Sequence, residues 1–101
     1  MNKYFAKRKY STLCGRWFAS KKEAARGEEL TLMEKGGLIS NLQFQVRFVL
    51  SEHPRVTITI DFIYQEDGEQ KYEDTKGVLT RDFRTKLAWL HEQKGIDVIL
   101  S

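Results

Sequence analysis

Two β-type segments joined by a short polar turn constrain the fold of this chain more than any other feature. VTITIDFIY spans residues 56–64, QKYEDTKG spans residues 70–77, and an Asp-Gly turn lies between them within residues 65–69. Runs rich in β-branched and aromatic residues favour strands, and Asp-Gly between two such runs is a strong hairpin signal. The sequence therefore predicts an antiparallel hairpin. Alternation places four apolar side chains on one face of its first strand: Val56, Ile58, Ile60 and Phe62.

The hairpin carries charged residues that strands usually avoid. Side chains two positions apart share a face, so Asp74 and Lys76 point one way while Glu73 and Thr75 point the other. Antiparallel pairing allows Asp61 of the first strand to lie near Asp74, so two carboxylates and a lysine converge at one end of the sheet. Neighbouring carboxylates repel each other unless a cation lies between them, and oxygen ligands suit Mg²⁺. The pattern predicts a divalent cation site there, with Glu73 in a structural role.

A helix is predicted before the hairpin, from about Lys21 to Lys35. Ser20 and Glu23 have the spacing of a capping box, and Gly36 follows the last turn. The capping box alone would account for Glu23. The apolar residues of this segment spread around the helix, so the buried face stays open.

The remaining segments complete an α-β-β-β-α-β order. Apolar residues alternate through 42–48, which predicts a strand that carries Leu42, Phe44, Val46 and Phe48 on one face. A second helix is predicted to start after Thr80 as N-cap and to end at Gly95, and IDVIL at 96–100 is nearly all apolar, as expected of a buried strand. The predicted fold class is α/β (α+β), with a central mixed sheet flanked by two helices.

Charge is distributed unevenly along the 101 residues, although the net charge is only +3. The first 22 residues contain seven Lys or Arg and no acid, whereas residues 59–78 contain six acids and two lysines. A basic, aromatic-containing arm at residues 1–17 and a single domain at 18–101 are predicted. The arm suggests a polyanion partner, with a solvated basic tail as the equal alternative. The single cysteine, Cys14, excludes an internal disulfide and a cysteine-based zinc site, and favours the reducing cytoplasm.

Six short motifs occur in a recognisable order over residues 18–100. They are FASKKEA (18–24), LQFQVRF (42–48), DF (61–62), EDTKG (73–77), TRDF (80–83) and GI (95–96). The ordered set resembles the PD-(D/E)xK nuclease superfamily, whose core is restriction-endonuclease-like, and is closest to a group of small phage and prophage proteins. The nominal proline before the first aspartate is absent, since Ile60 precedes Asp61.

The resemblance implies a metal-dependent DNA endonuclease that hydrolyses phosphodiesters with Mg²⁺ or Mn²⁺. Asp61, Asp74 and the backbone carbonyl of Thr75 would bind the metal, Glu23 would complete the site, and Lys76 would be the catalytic lysine. Nicking, Holliday-junction resolution and structure-specific cleavage are the candidate tasks. The implied partners are double-stranded or branched DNA and a second copy in a homodimer, in the cytoplasm of a host cell and away from membranes.

Further residues are expected near the bound DNA on helix starts and on the first long strand. They are Lys21, Lys22, Gln45, Arg84 and Lys86. Solvated helix faces explain any one of these lysines and arginines nearly as well, and Trp17 and Trp89 are expected in the core rather than stacked on bases. Two other classes of function stay open: a non-catalytic DNA-binding module that retains the nuclease fold, and a small α+β interaction protein with a basic tail.

Overall fold

The computed structural model describes residues 7–76 and 78–101. The elements are β1 (Lys9–Ser11), β2 (Arg16–Phe18), α1 (Lys21–Lys35), β3 (Ser40–Glu52), β4 (Arg55–Glu66), β5 (Glu69–Asp74), α2 (Arg81–Lys94) and β6 (Val98–Leu100). The larger sheet has the order β3-β4-β5-β6, in which only β5 and β6 are parallel. The predicted α+β class, mixed sheet and α-β-β-β-α-β order are confirmed. Residues 1–6 of the predicted arm and Gly77 of the EDTKG motif lie outside the described residues.

Helix α1 begins and ends where its capping residues predict. The Ser20 hydroxyl accepts a hydrogen bond from the Glu23 backbone N–H at 3.1 Å, which satisfies one of the N–H groups that lack a partner in the first turn. The face left open by the sequence is set by Ala24, Gly27 and Leu30, which are buried with Glu23. This face packs on one of two core clusters, so the first turn of α1 is held directly over the sheet.

The β4–β5 hairpin turns at Asp67 and Gly68, as the sequence predicts. Both have positive φ, 52° and 79°, the conformation of the tight two-residue turn that matches the twist of the flanking strands. The turn fixes the pairing of Phe62 with Glu73 farther along the hairpin. Asp74 therefore lies next to Asp61 across the two strands.

The predicted single apolar face of β4 is wrong. Ile58 and Ile60 pack with Leu90 of α2, whereas Phe62 packs with Leu30 of α1 on the other core cluster. The apolar side chains therefore change sides of the sheet between positions 60 and 62.

The apolar side chains of β3 also change sides of the sheet, next to the point where those of β4 do. Phe44 packs against the α1 cluster, and Val46 and Phe48 pack against the α2 cluster. Gln45 lies between them with a φ of 53°, which breaks the regular two-residue alternation of an extended strand. A single local distortion therefore supplies apolar side chains to both helices from one continuous strand.

The segment before α1 forms a small antiparallel hairpin of β1 and β2. Each strand has only three residues, too few for a period to be visible in the sequence. Phe18 is buried in the α1 core cluster, and the Ser11 hydroxyl donates a hydrogen bond to Glu28 of α1 at 2.6 Å. The part of the basic segment that the structure describes is thus packed onto the helix.

Two predictions of burial are wrong. Strand β6 is three residues long and lies at the sheet edge, so Ile99 and Leu100 are each 46% exposed. Trp17 and Trp89, expected in the core, are both among the exposed large apolar residues. No helix within the described residues has the length and apolar character to cross a membrane.

Candidate functional site

Three acidic side chains from separate elements meet where β4, β5 and the first turn of α1 come together. We refer to Glu23 of α1, Asp61 of β4 and Asp74 of β5 as the acid cluster. All three are buried, and Asp74 is fully so. Buried carboxylates are rare unless they are paired or hydrogen-bonded, so the contacts of each oxygen decide what the cluster can do.

Asp61 is held by the strand end that follows Asp74. Its Oδ2 accepts hydrogen bonds from the Thr75 backbone N–H at 2.9 Å and from the Thr75 hydroxyl at 3.0 Å. The Asp61 backbone N–H in turn donates to Asp74 Oδ1 at 2.9 Å. The two aspartates are therefore locked to each other through the β4–β5 pairing, as the antiparallel hairpin predicts.

Gln45 links the aspartates to the helix. Its Nε2 donates to Glu23 Oε2 at 2.7 Å and to Asp61 Oδ1 at 3.0 Å. The positive φ at Gln45 brings two consecutive side chains to the α1 side of β3, since Phe44 also packs there. A side-chain amide thus separates two carboxylates that would otherwise face each other.

Lys76 lies at the outer side of the cluster. Its Nζ is 3.4 Å from Asp74 Oδ2 and 4.6 Å from the centre of the Phe83 ring at the start of α2. Among the described residues, Asp74 Oδ2 has no hydrogen-bond partner, although it is buried. The site therefore contains an accessible ammonium group beside a carboxylate oxygen with spare acceptor capacity.

The electrostatic state of the cluster follows from this geometry. Burial raises the pKa of Glu23 to about 7, and repulsion by Asp61 and Asp74 adds to the rise. Burial and then the charge of Asp61 raise the pKa of Asp74 to about 6, against the opposing effect of Lys76. Near neutral pH, these carboxyl groups compete for protons, so a cation at the cluster would replace protons as the neutralising species.

Glu73 belongs to a separate network, as expected of a side chain that points away from Asp74. Arg26 of α1 binds both of its oxygens, at 2.6 and 3.0 Å, and the Tyr64 hydroxyl donates to it at 2.8 Å. Burial alone would raise the pKa of Glu73, but these hydrogen bonds outweigh it and lower the pKa. Because Arg26 lies one turn after Glu23, this network holds α1 on the sheet at the level of the acid cluster.

The residues predicted to contact DNA occupy two regions. Gln45 lies inside the cluster, whereas Lys21 and Lys22 are exposed at the start of α1, immediately before its carboxylate. Arg84 is exposed on α2, and Lys86 pairs with Asp82 at 3.3 Å. The α1 lysines are therefore adjacent to the site, while those of α2 are on the helix that contacts Lys76.

Within residues 7–76 and 78–101, no three His, Cys, Asp or Glu side chains are arranged as a group able to hold a metal ion. Several oxygens of the acid cluster already accept hydrogen bonds. Gln45 and Thr75 donate to the oxygens of Asp61, and Gln45 also donates to Glu23. A metal at the cluster would take over acceptor positions that these donors now share.

A family model described as a protein of unknown function (DUF1064) matches residues 1–100. The chain belongs to this family. The match extends over the small hairpin, both helices and the larger sheet, so the acid cluster lies within the family's unit. No curated protein and no solved structure matches the chain.

Sequence reasoning missed two members of the supporting network. Arg26 and Tyr64 are 47 and nine residues from Glu73 along the chain, and neither falls in a recognisable motif. The one available signal was helical spacing, because Arg26 follows Glu23 by three residues and so lies on a similar face.

Proposed function

We propose that this protein is a metal-dependent endonuclease that hydrolyses phosphodiester bonds of DNA. The observation that carries the proposal is the convergence of three buried carboxylates and one lysine, Glu23, Asp61, Asp74 and Lys76, at one end of a mixed sheet. Buried acids whose pKa values are raised by burial and by neighbouring acids mark a candidate functional site. The fold order around them is the one that the resemblance to PD-(D/E)xK nucleases implies.

The chemistry of the acid cluster fits a hard divalent cation. The ligand atoms that the acid cluster offers to a metal are all carboxylate oxygens. The buried Asp74 Oδ2 has no hydrogen-bond partner among the described residues. Asp61 and Asp74 would hold Mg²⁺ or Mn²⁺, with help from Glu23 and the backbone carbonyl of Thr75. When bound, such an ion neutralises charge on the scissile phosphate and lowers the pKa of bound water.

Lys76 is the group of this chain best suited to the reacting phosphate. Its ammonium lies beside Asp74 and over the Phe83 ring, so it is oriented without being buried. It can donate a hydrogen bond to a phosphate oxygen or orient the attacking water. Lys21 and Lys22 at the start of α1, and Arg84 on α2, would contact the neighbouring phosphates, which fix the position of DNA without reading its sequence.

One observation favours the rival function of a DNA-binding module without catalysis. Gln45 already bridges Glu23 and Asp61, and a bridge of this kind neutralises part of the repulsion without any metal. The rival predicts salt-dependent DNA binding and no cleavage.

The experiment that separates the two is a cleavage assay on supercoiled plasmid and on a synthetic four-way junction, in Mg²⁺, Mn²⁺ or EDTA. We expect cutting that needs metal and is lost in Asp74→Asn and in Lys76→Ala. Matched controls on the same strand are Glu69→Gln and Lys71→Ala, which alter an exposed ion pair 3.0 Å apart and should cut normally. Tight, salt-dependent binding with no cutting by the wild type would establish the binding module instead.

Two copies acting together would bring two acid clusters to the two strands of a duplex, so we include a homodimer on DNA in the proposal. Sedimentation of the protein with and without a four-way junction tests this point. Monomers in both samples would contradict it without affecting the proposed chemistry.

A further inference from the structure

The β1–β2 hairpin presents an aromatic and basic surface to solvent. Tyr10 and Trp17 are direct cross-strand partners with ring centroids 5.4 Å apart in an edge-to-face arrangement, and they stay 44% and 53% exposed. The Arg8 guanidinium lies 4.9 Å from the centre of the Trp17 ring. We refer to Arg8, Tyr10 and Trp17 as the outward face of the hairpin.

The opposite face of the hairpin holds it in place. Phe18 is buried against Phe44 and Phe62, and Ser11 is buried and bonded to Glu28 of α1. The exposed aromatic pair is therefore presented by an anchored element, and its exposure does not come from a failure of the hairpin to pack.

The hairpin is linked to the acid cluster in two ways. Strand β2 ends at Phe18, two residues before the N-cap of the helix that carries Glu23. The Arg16 guanidinium lies 4.9 Å from the centre of the Phe44 ring, and Phe44 directly precedes Gln45, which binds two of the three acids. A strand of nucleic acid that extends from the cluster past the start of α1 would reach this hairpin.

Exposed aromatic rings with flanking Arg and Lys are typical of protein surfaces that bind single-stranded nucleic acid. Aromatic side chains stack on unpaired bases, and the basic groups contact the backbone phosphates. Residues 1–22 contain no acid, so the charge of this segment complements a polyanion and would repel a second copy of itself.

We propose that the outward face binds single-stranded DNA by stacking an unpaired base on Trp17. This inference rests on the proposed function for its DNA partner, and it narrows the substrate to DNA with unpaired bases beside the cleaved strand, as at flaps, frayed ends and branches. A fully paired blunt duplex offers no free base face to Trp17, except at its ends.

The test uses tryptophan fluorescence, since the chain has only two tryptophans. Trp89→Phe leaves Trp17 as the single reporter, and EDTA prevents metal-dependent cutting during titration. A short oligo-dT should quench Trp17 with an affinity that falls as salt rises, while a long, fully paired blunt duplex should quench it little. Trp17→Ala should weaken oligo-dT binding by roughly 5- to 150-fold, Trp17→Phe should retain most of it, and Trp89→Phe should not change it.

Equal affinity for the paired and unpaired DNA, or an unchanged affinity in Trp17→Ala, would overturn the inference. If Trp17→Ala does not fold by circular dichroism, Arg8→Gln and the quenching of Trp17 itself still decide. Metal-dependent plasmid cutting without quenching would refute the stacking role and leave the nuclease intact. Quenching without any cutting would support the surface and refute the nuclease.

Discussion

The acid cluster makes the stability of this protein fall as pH rises from about 5 to 8 in the absence of metal. The pKa of Glu23 is raised from 4.5 to about 7 and that of Asp74 from 3.8 to about 6. The folded state thus binds these protons more tightly than the unfolded chain. Their favourable contribution is fully present below the unfolded pKa values and is lost as pH rises through the folded ones.

The size of the effect follows from the shifts. One pKa unit corresponds to about 1.4 kcal/mol, so Glu23 alone accounts for roughly 3 kcal/mol between pH 4.5 and 8. Asp74 contributes a similar loss at lower pH, but part of the Glu23 shift is repulsion by Asp74 itself, so the joint loss is smaller than the two together. Glu73 acts in the opposite direction, because its lowered pKa makes the protein lose stability only as pH falls below the usual Glu range. We therefore expect these three groups to place the stability maximum at about pH 4.

The assay is urea denaturation in EDTA at a series of pH values, on the wild type and on Glu23→Gln. The variant removes one buried charge and should gain about 3 kcal/mol over the wild type at pH 8 while matching it near pH 4.5. The control is Glu69→Gln, because Glu69 is exposed at the start of β5 and should follow the wild-type curve. A flat wild-type profile from pH 5 to 8, or the same decline in Glu23→Gln, would refute the reasoning. Mg²⁺ at pH 8 should restore stability in the wild type by binding only the folded state.

Three further changes test the elements that hold the cluster. Gly27→Ala should destabilise the protein by about 1 kcal/mol although alanine favours helices, because its Cβ would lie 2.7 Å from the Phe18 ring. The double change with Phe18→Leu should recover the loss. A gain in stability from the single change would contradict this packing. Arg26→Ala should cost about 3 kcal/mol in urea denaturation at pH 7, because it leaves Glu73 buried without its cation, and a loss that persists unchanged with Glu73→Gln would point to another cause. Thr75→Val should cost about 1 kcal/mol, since it removes one hydroxyl donor from the cluster, and a neutral result would show that the backbone N–H suffices.

Features encoded by neighbouring residues could be predicted from the sequence. Helix α1 was expected from Lys21 to Lys35 and has those bounds, because Ser20 and Gly36 cap it through local hydrogen bonds. The Asp67–Gly68 turn was likewise predictable, since both residues tolerate positive φ. Such signals depend only on residues a few positions apart.

Features set by tertiary contacts could not be predicted in this way. The apolar side chains of β3 change sides of the sheet because Gln45 has a positive φ in an otherwise regular alternation. Glutamine rarely adopts that conformation, so the sequence gives no sign of it. Strand β6 looked buried because of its composition, but composition does not say which strand will be at the edge of the sheet. Trp17 is exposed for a related reason, since its place in a three-residue strand decides which way it faces.

The candidate site falls between these two cases. Asp61, Asp74 and Lys76 could be grouped from hairpin pairing alone, because register fixes which residues lie opposite each other. Glu23 could be placed beside them only through the resemblance to a nuclease family, since no local rule joins a helix start to a strand 38 residues later. The backbone N–H of Glu23 donates to Ser20 as a helix cap. Its carboxylate accepts a hydrogen bond from Gln45 at 2.7 Å and therefore faces the aspartates.

The arrangement of charge argues that the cluster exists for function rather than for stability. Helix α1 takes part in two carboxylate contacts of contrasting kinds. Glu73 of β5 accepts hydrogen bonds from Arg26 of α1 and from the Tyr64 hydroxyl, and its pKa is lowered. Glu23, one turn before Arg26 on α1, accepts a hydrogen bond from an uncharged amide and faces two further acids, and its pKa is raised. A chain that can pair one buried acid with arginine could stabilise Glu23 in the same way, so giving Glu23 an amide instead of a cation is a cost that folding alone does not explain. A bound cation would offset that cost, so Mg²⁺ should restore stability to the wild type and do so less in Asp74→Asn.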